Sequence, residues 1–267
     1  MTGNCMQQAE DFRTICAALD ALLSELSDAD FARPTAFKRW TIEEILRHLH
    51  VWNRAALLSL HGPDDFSDFM QSVGASRGLN FREFEKEHCD DLSGRELLVA
   101  WREFYPALAD AFAEADPKAR VPWAGPSMSA RSSITARLME TWSHAQAIYD
   151  ELGQDRLPSD AVANIVVLGL NTYGWTFANR GLEPPEPRPQ LVLTLPSGAV
   201  QSFGEEAGEE RIEGSAEEFC QVVTQCRNIA DTALMVRGEN AARWMAMAQC
   251  FAGPPQDPPP PGTRRKK

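Results

Sequence analysis

No apolar run in these 267 residues approaches the roughly 18 that a membrane-spanning helix needs. The opening stretch, Met1 to Glu10, also lacks the basic-then-apolar layout of a secretion signal, so the expected address is the cytoplasm. Paired cysteines are missing as well. The six present (Cys5, Cys16, Cys89, Cys220, Cys226, Cys250) include no two at a two-residue spacing, which excludes a zinc ribbon and a redox motif and leaves free thiols that pack as small core residues. Basic residues are outnumbered, 26 Lys plus Arg against 38 Asp plus Glu, for a net charge of -12. Nucleic acid and anionic membranes would repel most of such a surface, so the expected partner is a small molecule, with a monomer or homodimer both compatible. There is no internal repeat, and histidine is sparse, at five.

What is present is mostly helix. Met6, Ala9, Phe12, Cys16, Leu19, Leu22, Leu23 and Leu26 recur at helical spacing and predict a first helix over 6–27. A second starts at Thr41, which with Glu44 makes a capping box, and runs on the stripe of Ile42, Ile45, Leu46, Leu49, Ala56 and Leu60 until Gly62 and Pro63. Residues 63–92 read as less regular. A second capping box, Ser93 with Glu96, opens a third helix through Leu97, Trp101, Leu108 and Phe112. The fourth covers about Ser129 to Leu152, and a fifth follows Pro158 as far as Gly181. Four long amphipathic helices are best buried as an up-and-down bundle in which the second and fourth face the same interior.

After Gly181 the composition changes. Pro184, Pro185, Pro187 and Pro189 make 182–190 a stiff linker. Leu191 to Leu195 and Val200 to Phe203 flank Pro196-Ser197-Gly198, a hairpin signal, and further strands are expected near Arg211 and over Thr232 to Val236. Ser215 with Glu218 reads as a third capping box, and a last helix carries Ala242, Trp244, Met245 and Phe251. The expected class is therefore mainly α, a bundle over 1–181 followed by a small α+β domain over 191–253. Residues 254–267, rich in Pro and basic side chains, read as a disordered tail.

Chemistry centres on the histidines. Glu140 and His144, four apart on the fourth helix, lie about 40° apart on one face and form a bidentate arm for a metal. Alone the pair is weak, because 38 acids in 267 positions put an acid four residues before a given histidine about one time in seven, and Glu44 with His48 repeats the spacing. Position adds to it. His48 lies about 110° round from its helix's apolar stripe, and Glu140 and His144 about 80° to 120° round from theirs in the same sense, so all three border the core where a bundle builds metal sites. His50 falls on the opposite flank, as an alternative to His48; His61 and His88 read as surface residues.

The run Arg39-Trp40-Thr41 through Arg47-His48-Leu49, with Met139-Glu140-Thr141-Trp142-Ser143-His144, resembles the metal-binding signature of the DinB-like superfamily, and within it the mycothiol-dependent maleylpyruvate isomerase family. Later segments, Asn179-Arg180-Gly181, Val223 to Arg227, Asp231 to Leu234 and Ala248 to Pro255, are similar to an uncharacterised metal-binding branch of that group with the same two-domain plan. The resemblance implies that His48, Glu140 and His144 hold a divalent ion, zinc first, with nickel, iron or manganese as the other candidates. Asn53 and Ala147 stand where the branch commonly has acids, so carboxylates are missing there.

Two histidines and one carboxylate leave coordination positions open, as catalytic zinc sites do. The resemblance implies a low-molecular-weight thiol as co-reactant, hence an isomerase or S-transferase acting on a small acidic or unsaturated substrate. The same ligands activating water would give a hydrolase, hydratase or lyase, and a closed site would give a non-catalytic metal-binding protein. Thiol chemistry needs a cation for the acidic substrate, and Arg227, as a catalytic group, and Arg82 are the candidates. Trp52, one turn beyond His48, either walls the pocket or is plain core, and Asn53, inside the apolar stripe, needs polar partners that a ligand or substrate would supply.

Overall fold

A computed structural model describes residues 6–75 and 81–267, so Cys5 and the first half of the opening stretch discussed above lie outside the described residues. The chain forms two compact units, Met1–Glu151 and Leu152–Lys267. In the first, α1 (Gln7–Ser24), α3 (Ile42–His61), α6 (Gly94–Glu114) and α7 (Ala130–Leu152) are the long members, with the single-turn α2 (Asp28–Phe31) after α1. This is the helical bundle that the apolar stripes require. Phe12, Leu19, Ile45, Leu49, Trp101, Leu108, Ile134, Leu138 and Ile148 are each within 1% of complete burial. At roughly 1.5–3 kcal/mol per buried large apolar side chain, that shared interior, not helix propensity, stabilises the long helices.

The helix starts show how local chemistry sets the frame of the site. Thr41 caps α3 as expected: its hydroxyl accepts from the Glu44 N–H at 3.1 Å, and the Glu44 carboxylate accepts from the Thr41 N–H at 2.8 Å. The box expected at Ser93 does not form. Gly94 has φ of +49°, outside helical space, and its N–H donates instead to Glu43 of α3 at 2.8 Å. The 63–92 stretch is also more regular than its sequence suggests. It folds as α4 (Pro63–Ala75) and α5 (Phe81–Glu87), whose Phe66, Phe69 and Phe84 interlock with Trp52 and with Trp123 in an aromatic cluster. Its sequence lacks a continuous heptad-like stripe because aromatics, few and large, do the packing.

In the first unit β1 (Arg120–Val121) pairs antiparallel with β2 (Met128–Ser129), and the second unit holds a sheet of order β4-β3-β5-β6, with β3 (Gln190–Thr194), β4 (Val200–Phe203), β5 (Arg211–Ser215) and β6 (Met235–Arg237). The expected hairpin joins β3 and β4 antiparallel, with Gly198 at φ +88° in its turn, whereas β3 and β5 run parallel. The fifth helix, expected in the first domain, lies in this unit as α8 (Ala163–Asn171) and α9 (Tyr173–Ala178). The reason is a close approach to α10 (Ala216–Val223): a methyl group on Gly169 would meet Phe219 and Val223 at 3.1 Å. Ser215 caps α10 through the Glu217 N–H, while Glu218 accepts from Ala233 rather than closing a box. Residues 254–267, expected to have nothing to pack against, are held by backbone acceptors and donors. Asn228 donates to Pro259 O at 2.9 Å, Gly262 N–H to Asp231 at 2.8 Å, and Arg264 to Gln225 O at 2.6 Å. Among the described residues no helix is long and apolar enough to cross a membrane.

His50 illustrates a buried ring with a measurable cost. It is 5% exposed and packs edge-on against Phe104, away from His48. Burial, helped by Arg54, pushes its pKa down to about 4. The unfolded chain takes up a proton near pH 6.5 that the folded one refuses until about pH 4, so this position destabilises the fold as pH falls through that window, by at most about 3 kcal/mol. Urea midpoints at pH 7 and pH 4.5 are expected to differ less in His50→Phe than in the parent protein; an unchanged difference would remove His50 as the cause.

Candidate metal centre

His48 sits two turns into α3, and Glu140 and His144 sit mid-way along α7, so the two bundle helices present three side chains toward one point. One donor atom from each lies within 4.8 Å of the others. The His144 Nε2 to Glu140 Oε2 distance is 3.2 Å and the His48 Nε2 to Glu140 Oε2 distance is 3.6 Å. Metal bonds of about 2.0–2.2 Å at tetrahedral angles put neighbouring donors about 3.4 Å apart, so both separations suit ligands of one ion. Side chains of all three are between 12% and 24% exposed, as border positions should be.

The outer face of His48 is occupied. Its Nδ1–H donates to Glu85 Oε1 at 2.7 Å, and the same oxygen accepts from Trp52 Nε1 at 3.1 Å. Glu85 comes from α5 and is 2% exposed. A carboxylate behind a ligating imidazole fixes its tautomer, leaving Nε2 free for a metal, and makes it more basic. His144 is held differently. Its Nδ1 is buried without a hydrogen-bond partner, and its ring is fixed by aromatics: Trp40 stacks parallel at 5.9 Å and Phe37 meets it edge-on at 4.9 Å. The turn that delivers both carries Lys38 and Arg39 at φ +48° and +57°. Two consecutive non-glycine residues in left-handed space cost about 1–2 kcal/mol each, a strain that the surrounding packing must offset.

Charge follows from this packing. Burial alone would push His48 down, but Glu85 and Glu140 outweigh it and raise its pKa to about 9. Burial opposes ionisation of Glu140 too, yet its hydrogen bonds from His144 and His48 hold it well below the ordinary carboxylate range. Burial keeps His144 below its ordinary value, against the pull of Glu140 and with help from His48. Glu140 is thus an anion, His144 a free base and His48 a proton holder that a metal must displace, since ligating imidazoles are neutral.

The other residues singled out in the sequence divide. Trp52 packs into the aromatic cluster and also bonds Glu85, so it is core and support at once. Asn53 is fully buried, and its amide oxygen accepts from Arg137 Nε at 3.1 Å, which supplies a partner the sequence left open. Arg82 lies over the Trp40 ring at 5.6 Å, with its guanidinium donating to Glu44 at 3.0 Å. Arg227 belongs to the second unit, on the turn after α10, where it donates to Cys226 O at 3.0 Å. His50 is not brought into the cluster. His61 is exposed at the end of α3, but His88, expected at the surface, is half-buried against Phe84 and Phe69. Sequence reasoning missed Glu85, Phe37 and Arg137. Glu85 had no visible signal, because it lies outside the two motif helices.

A bundle carrying a His, Glu, His cluster on facing helices defines the class, and comparison with known proteins agrees. Residues 12–149 match the mycothiol maleylpyruvate isomerase N-terminal domain, and the chain belongs to that family. It is 35% identical over 245 residues to uncharacterised proteins of Mycobacterium tuberculosis strains CDC 1551 and H37Rv, covering 92% of this chain and 95% of theirs. Its fold is similar to the crystal structure of the mycothiol-dependent maleylpyruvate isomerase, with TM-score 0.52 and 18% identity over 81% of this chain and 87% of that one. A histidine-to-alanine variant of that enzyme gives 0.51.

Proposed function

We propose that this chain is a metal-dependent enzyme that uses a small thiol to isomerise, or to add sulfur to, a small acidic or unsaturated substrate. The observation that carries the reading is the cluster itself: three donors at ligand spacing, with the rear nitrogen of His48 committed to Glu85. Membership of a family named for a mycothiol-dependent isomerase supports the choice of chemistry. His48, Glu140 and His144 would hold a divalent ion, which would supply Lewis acidity able to lower the pKa of water or of a thiol.

The chain's own residues do the rest. His48 and His144 present Nε2 atoms, and Glu140 contributes the charge. Glu85 holds His48 in register, and Trp40 with Phe37 covers the flank of His144. Arg82, over Trp40, provides a cation at the same aromatic wall. For the acidic substrate the candidate is Arg227, on the sequence resemblance alone. The test is turnover of small unsaturated carboxylic acids by zinc-loaded protein, with and without millimolar thiol. Thiol-dependent turnover supports the reading, and thiol-independent turnover points to activated water instead. Arg227→Ala is expected to keep its metal and lose most turnover of the anionic substrate; unchanged kcat/KM would remove Arg227 from the site.

A further inference from the structure

Arg137 is a buried cation without a counter-anion in contact. It is 2% exposed, among the largest fully buried side chains, and makes one hydrogen bond, to the neutral amide of Asn53. Its Nη2 is buried with no partner. Among the described residues it forms no ion pair within 4.0 Å. A guanidinium remains charged in such surroundings, and an isolated buried charge is too costly to persist unless opposite charge lies near. Its placement supplies the answer. Arg137 is three residues before Glu140 and seven before His144, on the same face of α7, and Asn53 lies five residues beyond His48 on α3. Burial weakens its hold on its proton, and the field of Glu140 opposes that effect most, with smaller contributions from Cys16 and then Glu85.

The charge count then closes in an informative way. Glu85 and Glu140 contribute two negative charges and Arg137 one positive. A divalent ion with two neutral imidazoles brings the total to +1. Arg82 at the same wall is paired with Glu44, so without Arg137 the assembly would be neutral and its pull on an anion weaker.

We propose that Arg137 sets the loaded centre at one net positive charge, so that the exchangeable position selects monoanions, a thiolate or a carboxylate, over neutral ligands. This rests on the metal reading above and adds the ligand class and the residue that determines it. Arg137 acts through its field, not by touching the reacting atoms.

The test uses cobalt(II)-loaded full-length protein, whose visible bands report the inner ligands, titrated with azide as monoanion and imidazole as neutral ligand. Arg137→Met replaces the charge with an apolar chain of similar length, and a thermal melt of the same sample checks that the bundle remains folded without the bond to Asn53. Its azide affinity is expected to fall at least about tenfold, with imidazole affinity and cobalt content maintained. Arg137→Lys, which keeps the charge, is expected to retain most of the azide affinity. Equal azide affinity in the parent and Arg137→Met overturns the proposal, as does a parallel loss of azide and imidazole binding, which would mark a merely structural role. A parent protein that takes up no cobalt overturns the metal reading itself and this inference with it, so the two failures are told apart.

Discussion

Replacing His144 by alanine is expected to empty the centre while leaving the bundle folded. His144 and Glu140 form the α7 arm, and their 3.2 Å separation is the tighter of the two cluster edges. Without its imidazole only His48 and Glu140 remain, so the loss of divalent-ion affinity should exceed the 10–100-fold typical of a lost outer partner. Folding should barely notice. The His144 ring contributes contacts with Phe37 and Trp40, worth about 0.5–1.5 kcal/mol each, and its removal also relieves crowding with the His48 ring, 4.7 Å away. Metal analysis after dialysis and a thermal melt on the same sample check both halves. Stoichiometric metal in both His144→Ala and His48→Ala would dismiss the cluster as a metal site.

Glu85 should matter almost as much, and for two separable reasons. Its single oxygen serves His48 Nδ1 and Trp52 Nε1 in a place that water hardly reaches. Glu85→Gln retains an acceptor but no charge, so the His48 ring loses basicity and orientation, and divalent-ion affinity is expected to drop about 10–100-fold. Glu85→Leu removes the acceptor as well. Two hydrogen bonds to a buried charge are then lost, at about 1.5–3 kcal/mol each, so the folded state should lose about 3–6 kcal/mol in addition. Chelator competition reads the first effect and urea denaturation at pH 7 the second. A Glu85→Leu protein matching its parent in both would show that the carboxylate is incidental.

The sequence carried the helices and the three clustered side chains because both are written in short-range pattern. Apolar residues at intervals of three and four marked the long helices, and the same geometry put His48, Glu140 and His144 on their borders. What escaped is long-range. Glu85 reaches His48 from 37 residues away, and Arg137 meets Asn53 across 84. No spacing rule links such positions. The acids missing at Asn53 and Ala147 suggested a centre short of carboxylate support, yet α5 supplies one from elsewhere. The first turn of α6 is shaped by a distant partner too: Glu43, 51 residues away in sequence, takes the N–H of Gly94, which sits at φ +49° where the capping box at Ser93 does not form. The tail and α8 were misplaced because their partners, Asp231, Gln225 and Phe219, come from distant segments.

Two indoles adjoin the centre, Trp40 face to face with one imidazole and Trp52 bonded to the carboxylate that steadies the other. An ion bound between these imidazoles would sit within reach of both rings, so titrating the protein with a divalent metal is expected to change its near-ultraviolet emission, without any added dye.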